Sequence, residues 1–337
     1  MQARLASGKM GKGIIEILET IPNITGWQVL ITGATDGIGR ALSEMLAFKG
    51  ASLTILARSE KKAQALIAQL KRQYLGVEHR YLHCDLSCIV SCEQAALALL
   101  RQGVEYDRVF ANAGVVGDNR DINSQGLNNT FFTNHIGHFV LLSALLLQKQ
   151  TLQKQRVIIQ SSVAHYLARP RAGFSCYFTR QNTMIPTTSY ADSKLANLLC
   201  MQAFQKKAGE NSKNIKYLAA HPGYLVTNIN HAILNMQPCE RIKALACGNM
   251  KPVLMVLAKR YGVVQASAYT AALPILQAAF TNNPPFYTGP QSFFGMTGMP
   301  GPAGMSSAAK NIKLMQLLYT KTLEYCRKAT SHAALWR

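Results

Sequence analysis

Short apolar runs and amphipathic stretches alternate along the chain as far as about residue 230. "WQVLIT" is an apolar run closed by a glycine-rich turn, and "ALSEMLAFKG" follows it at helical spacing. "SLTILA" with "EKKAQALIAQLKRQY" repeats the pair, and "HRYLHC" with "SCEQAALALLRQ" repeats it again. "DRVFAN" leads into a longer helix over roughly "LNNTFFTNHIGHFVLLSALLLQ". "RVIIQSS", a long connection, the helix "SYADSKLANLLCMQAFQKK" and the strand "IKYLAAHPG", stopped by Pro-Gly, complete the series. Near-continuous apolar strands that alternate with helices predict an α/β fold: a doubly wound parallel sheet with helices on both faces. Residues 1–25 read as a lead segment and 26–337 as a single domain. Its core covers about 26–230, and a C-terminal extension of helix and loop covers about 231–337 and ends in a basic helix. No linker, repeat or low-complexity tract divides it.

Composition agrees with a packed domain. Hydrophobic residues make up 48% of 337, enough for a sizeable core and too many for disorder. Lys and Arg number 36 against 16 Asp and Glu, a formal charge of +20. Such an excess favours anionic partners: phosphorylated cofactors, nucleic acid or an anionic membrane surface. The basic residues are scattered in small clusters ("KQTLQKQR", "RPRAGF", "KKAGENSKNIK"), so a solvated basic surface is expected and a nucleic-acid partner is not. The eight cysteines make no disulfide framework in a chain this long. Cys84, Cys88 and Cys92 lack paired CxxC ligands, so no metal is expected, and free thiols suit a reducing, cytoplasmic setting. "FVLLSALLLQK" falls short of the roughly 20 residues that cross a bilayer and reads as a buried helix. No transmembrane segment is expected, and peripheral membrane contact stays open.

Two motifs carry chemistry. After the first strand stands "TGATDGIGR", with Gly33, Gly37 and Gly39. Glycine alone lets the backbone turn this sharply and approach a phosphate, which the next helix's unpaired N–H groups and dipole would hold. "SYADSK" places Tyr190 and Lys194 four apart, on one helix face. A helix face exposed to solvent would explain the pair by itself. Further motifs follow in order: "ANAG" (Asn112, Ala113, Gly114) ends the fourth strand, Asn134 lies in the long helix, Ser162 follows the fifth strand and "HPGYLVT" the sixth.

The ordered set, over about residues 26 to 230, resembles the short-chain dehydrogenase/reductase family. The segments "NHIGHF", "SSVAH" and "SKLANLL" resemble its retinol-dehydrogenase-like branch. The resemblance implies a Rossmann-type fold and a nicotinamide cofactor. That cofactor would meet Gly33, Thr35, Asp36, Gly37, Ile38 and Gly39 in the turn and Asp85 and Leu86 at the adenine. Asn112, Ala113 and Gly114 would line its floor, and Tyr190, Lys194, Pro222, Gly223 and Thr227 would lie near the nicotinamide. NAD-binding members carry a carboxylate at the end of the second strand. Here that strand ends "ILARSEKK", where Arg58, with Ser59, suits the 2′-phosphate of NADP rather than NAD. Asp36 stands where some NADP-binding members carry a basic residue.

A free tyrosine titrates near pH 10, too high for a base at neutral pH. A cation about 4 Å away at an effective dielectric near 20 is worth about 4 kcal/mol, a drop of roughly three in pKa before desolvation opposes it. Lys194 and an oxidised nicotinamide both supply such charge. The family pattern makes Tyr190 the acid/base and Ser162 the donor to the substrate oxygen. Ser162 is preferred to Ser161 because Val163 and Ala164 follow it. Lys194 would tune the phenol and anchor the ribose, and Asn134 would hold a water in a proton relay. His135, His138 and His165 read as packing histidines.

The expected activity is therefore an NADP-dependent carbonyl reductase or alcohol dehydrogenase acting on a small-molecule carbonyl or alcohol. The rival is a non-catalytic dinucleotide sensor or scaffold on the same fold, which would need none of the acid–base groups. Met236, Met250, Met255, Tyr261, Phe293, Phe294, Met296 and Met299 suit an apolar substrate pocket and an ordinary core equally. The basic, aromatic insertion over 169–188 is expected to rim the site or to contact another part of the surface. The family's habit of pairing through long helices implies a homodimer.

Overall fold

The computed structural model describes residues 12–117, 122–147, 155–179, 186–210, 214–224 and 267–336. Helix α1 (Lys12–Thr20) precedes a regular alternation: β1 (Gln28–Thr32), α2 (Gly37–Phe48), β2 (Ser52–Ala57), α3 (Glu60–Gln73), β3 (Arg80–His83), α4 (Ile89–Gln102) and β4 (Arg108–Ala111). The long helix starts at Asn129–Phe131, widens into a π-turn over Phe132–Ile136 and continues as α5 (Gly137–Leu147). β5 (Gln155–Gln160), α6 (Pro186–Glu210), β6 (Ile215–Ala220), α7 (Ala268–Phe280), β7 (Tyr287–Ser292), β8 (Thr297–Pro302) and α8 (Ile312–Ala329) follow.

The eight strands form one sheet in the order β3-β2-β1-β4-β5-β6-β7-β8. All neighbours are parallel except β7 and β8, which form an antiparallel hairpin at the edge. The order reverses direction between β1 and β4, the crevice where open α/β sheets bind ligands at their carboxyl edge.

Successive strand residues point to opposite faces, and the core divides accordingly. Leu30, Val109, Val157, Ile159 and Tyr217 face one buried layer, with α4, α5, α6 and α8. Val29, Ile31, Leu53, Ile55, Phe110, Ile158 and Leu218 face the other, with α1, α2, α3 and α7. Each strand is thus apolar on both sides, which is why its sequence shows a run rather than an alternation. The segment Asn129–Leu147 is long and apolar enough to cross a membrane by composition, but 89% of that stretch is buried inside the domain. It is the central helix of the first layer.

The strands β7 and β8 depart from the helix-and-loop extension expected for 231–337. Two buried arginines also stand at the start of apolar strands. Arg156 donates to the carbonyls of Ala278, Ala279 and Thr281 at 3.1, 2.9 and 2.7 Å. Arg108 donates to Ala279 at 2.7 Å and stacks on Trp27, 4.6 Å from its centroid. Together they cap the C-terminus of α7, where orphan carbonyls and the negative dipole end favour cations. Arg156→Leu is expected to cost about 2–4 kcal/mol by leaving buried carbonyls without donors. Urea denaturation reads this as a lower midpoint, and an unchanged midpoint contradicts the capping role.

Candidate active site

The glycine turn joins β1 to α2 at the carboxyl edge of the sheet. Gly33 has φ +68°, and a Cβ there would lie 2.8 Å from the Ala113 Cα. A Cβ on Gly39 would lie 2.0 Å from the Gly33 carbonyl oxygen and 2.5 Å from the Asn112 amide. Both positions therefore require glycine, because β1's turn is pressed against the end of β4. Gly37, with φ +50°, has no atom within 4 Å of where its Cβ would stand, so the turn opens outwards there.

Asp36 caps α2: its carboxylate accepts from the Gly37 N–H at 2.7 Å. Helix geometry leaves the N–H groups of Ile38 and Gly39 without i−4 acceptors. Thr35 is half-buried beside them. The Asn112 amide donates to the Thr32 and Gly33 carbonyls at 3.0 and 3.3 Å, while its Oδ1 is buried without a partner. Open space at Gly37, the first N–H groups of α2 and an orphaned acceptor at Asn112 together fit a dinucleotide.

β1 and β2 run in register with Thr32 opposite Leu56, which sets Arg58 beside the glycine turn. Arg58 is exposed, and Ser59 caps α3 by accepting from the Lys62 N–H at 3.4 Å. Asp85 is half-buried, and its Oδ1 accepts from the Ser87 N–H and hydroxyl at 3.0 and 2.7 Å. That oxygen builds its own turn. The Leu86 carbonyl lies 2.4 Å from where a Cβ on Gly137 would stand, so Leu86 also seats the long helix.

The four expected catalytic residues converge. Tyr190, half-buried, shares a hydrogen bond with the Ser162 hydroxyl. Ser162 caps the turn over Val163–Leu167, accepting from the Ala164 N–H at 3.2 Å. The neighbouring Ser161 hydroxyl instead donates to the Lys194 carbonyl at 2.9 Å, so Ser162 is the serine beside the phenol. Lys194 is buried, donates to the Gln160 carbonyl at 3.0 Å and lies 5.5 Å from the centre of the Tyr190 ring. A Cβ on Gly114 would stand 3.2 Å from the Lys194 Nζ and 3.4 Å from the Asn134 Oδ1. Gly114 therefore ties the floor of the nucleotide crevice to the lysine.

The geometry adds two details to the expected roles. In the chain by itself burial pushes the Tyr190 phenol above its ordinary value, and the Ser162 hydrogen bond offsets this only in part. The side chain of Asn134 is spent on structure: its Oδ1 accepts from the Val115 N–H at 2.8 Å, and its amide donates to the Val115 carbonyl and the Ser193 hydroxyl, both at 3.0 Å. It sits in the π-turn, a distortion common at functional sites.

Pro222 and Gly223 follow β6. Gly223, at φ +77°, passes so close to the Met296 carbonyl that a Cβ would meet it at 2.3 Å. Thr227, Met236, Met250, Met255 and Tyr261 lie outside the described residues. The first part of the insertion packs against α8 and the start of the long helix. Phe174 and Tyr177 are buried, with Tyr177 stacked on Phe131 at 4.0 Å, and Gly173 lies against Leu317 of α8. Residues 180–185 are outside the described set.

The family model for short chain dehydrogenases matches residues 28–238. The chain belongs to the short-chain dehydrogenase family. Short-chain dehydrogenase TIC 32 B, chloroplastic, of Brassica napus is 30% identical over 244 residues, 69% of this chain and 76% of that one. Human retinol dehydrogenase 13 is 28% identical over 207 residues, 61% of each chain, and human polyprenol dehydrogenase is 27% identical over 211 residues, 59% of this chain and 61% of that one. These relatives set the chain in the retinol-dehydrogenase-like branch of this oxidoreductase family. A solved structure of an uncharacterized protein from Mycobacterium Paratuberculosis superposes with a TM-score of 0.69 at 25% identity, over 92% of this chain and 97% of the other. A short chain dehydrogenase from Burkholderia cenocepacia, in complex with NADP, shares the fold at TM-score 0.54 and 20% identity, over 77% of this chain and 92% of the other.

Around this short-chain dehydrogenase site, sequence reasoning missed what the histidines hold. His138 Nδ1 donates to the Asn134 carbonyl at 3.1 Å, and the Thr32 hydroxyl, which accepts from the Ala113 N–H, donates to Nε2 at 2.9 Å. His165 Nδ1 donates to the Ser162 carbonyl at 2.8 Å, and Nε2 accepts from the Ser306 N–H at 3.2 Å. Both rings are neutral by this bonding. Asp192, between Tyr190 and Lys194 in sequence, accepts from the Arg169 N–H at 2.6 Å and the Tyr177 hydroxyl at 2.8 Å. The motifs "NHIGHF", "SSVAH" and "SYADSK" contain these residues but gave no signal of their partners.

Burial holds His79, His138 and His165 down to about 4, and His135 and His221 down to about 3. The unfolded chain takes up protons first at these sites, so their contribution is complete above the ordinary histidine value and is lost as pH falls towards 4. Asp192, raised to about 6 by burial, acts in the opposite sense, losing its contribution as pH rises through that value. The histidines outnumber it. The protein is expected to be at least about 2 kcal/mol less stable near pH 5 than near pH 7. Denaturant midpoints at the two values check this, and equal or higher stability at the acid value contradicts the neutral histidines.

Proposed function

We propose that this chain is an NADP-dependent oxidoreductase that interconverts a carbonyl and an alcohol on a lipophilic small molecule. The observation that carries the reading is the meeting of the Ser162 and Tyr190 hydroxyls and the Lys194 ammonium beside the floor of the glycine-turn crevice. NADP, when bound, would supply or accept the hydride. The open turn at Gly37, the α2 N–H groups, Asn112 and Arg58 would hold it, with Arg58 as the partner for a 2′-phosphate.

The chain's own residues handle the proton. In the reducing direction Tyr190 donates its hydroxyl proton to the substrate oxygen. Ser162 donates a hydrogen bond to the same oxygen and stabilises the charge that develops there. Lys194 stabilises the phenolate left behind, its ammonium being already fixed by the Gln160 carbonyl. In the oxidising direction the phenolate takes the alcohol proton; burial raises the phenol's pKa and so disfavours forming that phenolate until further positive charge arrives beside it. The lipophilic substrate class rests on the names of the retinol and polyprenol dehydrogenases among the relatives.

Tyr190→Phe is expected to keep NADPH affinity within about twofold and to lose at least about a hundredfold in turnover. NADPH consumption across a panel of aldehydes, ketones and quinones measures it, and undiminished turnover contradicts the proton-transfer role. Arg58→Asp is expected to reverse the cofactor preference by at least about tenfold towards NAD. An unchanged ratio of NADP to NAD affinity removes Arg58 as the determinant.

A further inference from the structure

The backbone of Ser162 is held by a side chain that the proton transfers do not use. Ser162 has extended backbone (φ −159°, ψ 153°) and caps the short 3-10 turn over Val163–Leu167. Its carbonyl accepts from the His165 N–H at 3.1 Å, the ordinary bond of such a turn. The same carbonyl also accepts from the His165 ring, at Nδ1, at 2.8 Å. A 3-10 turn of five residues has poor hydrogen-bond geometry and holds its cap residue weakly by itself. The ring bond gives the carbonyl a second donor, so both of its lone pairs are used.

The same ring is held from its other nitrogen by a distant segment. Nε2 accepts from the N–H of Ser306, 141 residues away and after β8, at 3.2 Å. Ser306 is itself fixed, because its hydroxyl accepts from the Ala309 N–H at 3.2 Å. A carbonyl can only accept and a backbone N–H can only donate, so these partners require the tautomer with its proton on Nδ1. His165 is buried, with its ring centre 4.2 Å from that of Tyr166 and edge-on to Tyr287 at 5.5 Å. The ring therefore cannot turn or change tautomer without leaving a buried group unpaired.

We propose that His165 is a positioning residue that holds the Ser162 hydroxyl against Tyr190 by tying the Ser162 backbone to the segment after β8. The proposal rests on the oxidoreductase reading of the same site. Packing alone would be served by an apolar ring, with no buried nitrogens to satisfy. Both nitrogens are instead spent, one on the residue that donates to the substrate oxygen and one on the C-terminal extension. The neighbouring Ser161 hydroxyl is committed to the Lys194 carbonyl, so Ser162 has to be set by other means. The precision matters, because a misplacement of about 1 Å in a reacting group costs on the order of a hundredfold in rate. His165 meets the serine's carbonyl and not its hydroxyl, so its part is to fix a position and not to move a proton.

The test separates the two ring bonds. An Asn amide stands near the place of Nδ1 and a Gln amide near that of Nε2. His165→Asn can therefore still donate to the Ser162 carbonyl, while His165→Gln keeps only the bond to Ser306. With the carbonyl compound that the wild type reduces fastest, His165→Gln is expected to lose at least about tenfold in kcat, with NADPH affinity held within about twofold. His165→Asn is expected to be at least about threefold faster than His165→Gln. In a Ser162→Ala background, His165→Gln is expected to cost nothing further in single-turnover rate, because the ring acts through the serine. A Gln variant with the wild-type kcat, an Asn variant no faster than Gln, or losses that multiply in the Ser162→Ala background overturn the role. Nitrogen-15 NMR of the wild type tests the bonding without any substitution, and decides if the Gln variant does not fold. It is expected to show a neutral His165 protonated at Nδ1 near neutral pH, and a ring that is charged or protonated at Nε2 overturns the role. A wild type that reduces no carbonyl removes the oxidoreductase reading and this role with it. A wild type that reduces one, with His165→Gln equally fast, removes this role alone.

Discussion

A buried ammonium held beside a half-buried phenol is the constraint around which the rest of the molecule is arranged. Lys194 is 3% exposed, and taking a charge out of water is costly unless hydrogen bonds and opposite charge replace hydration. The Gln160 carbonyl replaces part of it. The remaining field extends into the crevice beside Gly114, where an anionic or electron-rich ligand would feel it little screened by solvent. The same desolvation lifts the Tyr190 phenol, which stays protonated in the chain by itself.

Helix α6 carries both groups and is fixed from several directions. Ser161 at the end of β5 donates to its backbone at Lys194, and Ser193 donates to the Tyr190 carbonyl at 2.7 Å while accepting from Asn134. Asp192 points the other way and ties the insertion to the helix through Arg169 and Tyr177. Asn134 in turn is held by His138, which reaches Thr32 at the mouth of the glycine turn. The glycine turn and the helix that carries Tyr190 and Lys194 are thus joined by a short chain of hydrogen bonds through buried, neutral imidazole. A change at Thr32, His138 or Asn134 would be felt at Ser193 and the Tyr190 carbonyl.

Six strands, their helices and the convergence of Ser162, Tyr190 and Lys194 were legible because each leaves a local mark. An apolar run ends in a glycine turn, and a phenol and an amine share a helix face. β7 and β8 left no such mark. "YTGPQS" and "TGMPGP" are rich in glycine and proline, which read as loop, and they form strands only because the edge of an existing sheet offers one side of pairing. Arg108 and Arg156 looked like the ends of apolar strands, but their role depends on carbonyls in a helix more than a hundred residues away. Asp192 and the histidines could not be read because a buried polar residue's role is set by its partners, and those come from distant elements. Among the described residues Phe293, Phe294 and Met299 are exposed, where hydrophobicity predicted a pocket or a core.

The central claim is that the phenol of Tyr190 is held high by burial and is brought down by positive charge delivered next to it. Ultraviolet difference titration of wild type against Tyr190→Phe, with and without saturating NADP in its oxidised form, isolates that one group. The account predicts a Tyr190 pKa above the ordinary tyrosine value in the free chain and a fall of at least about two when the cofactor is bound. A phenol that titrates at the same pH in both states would contradict it.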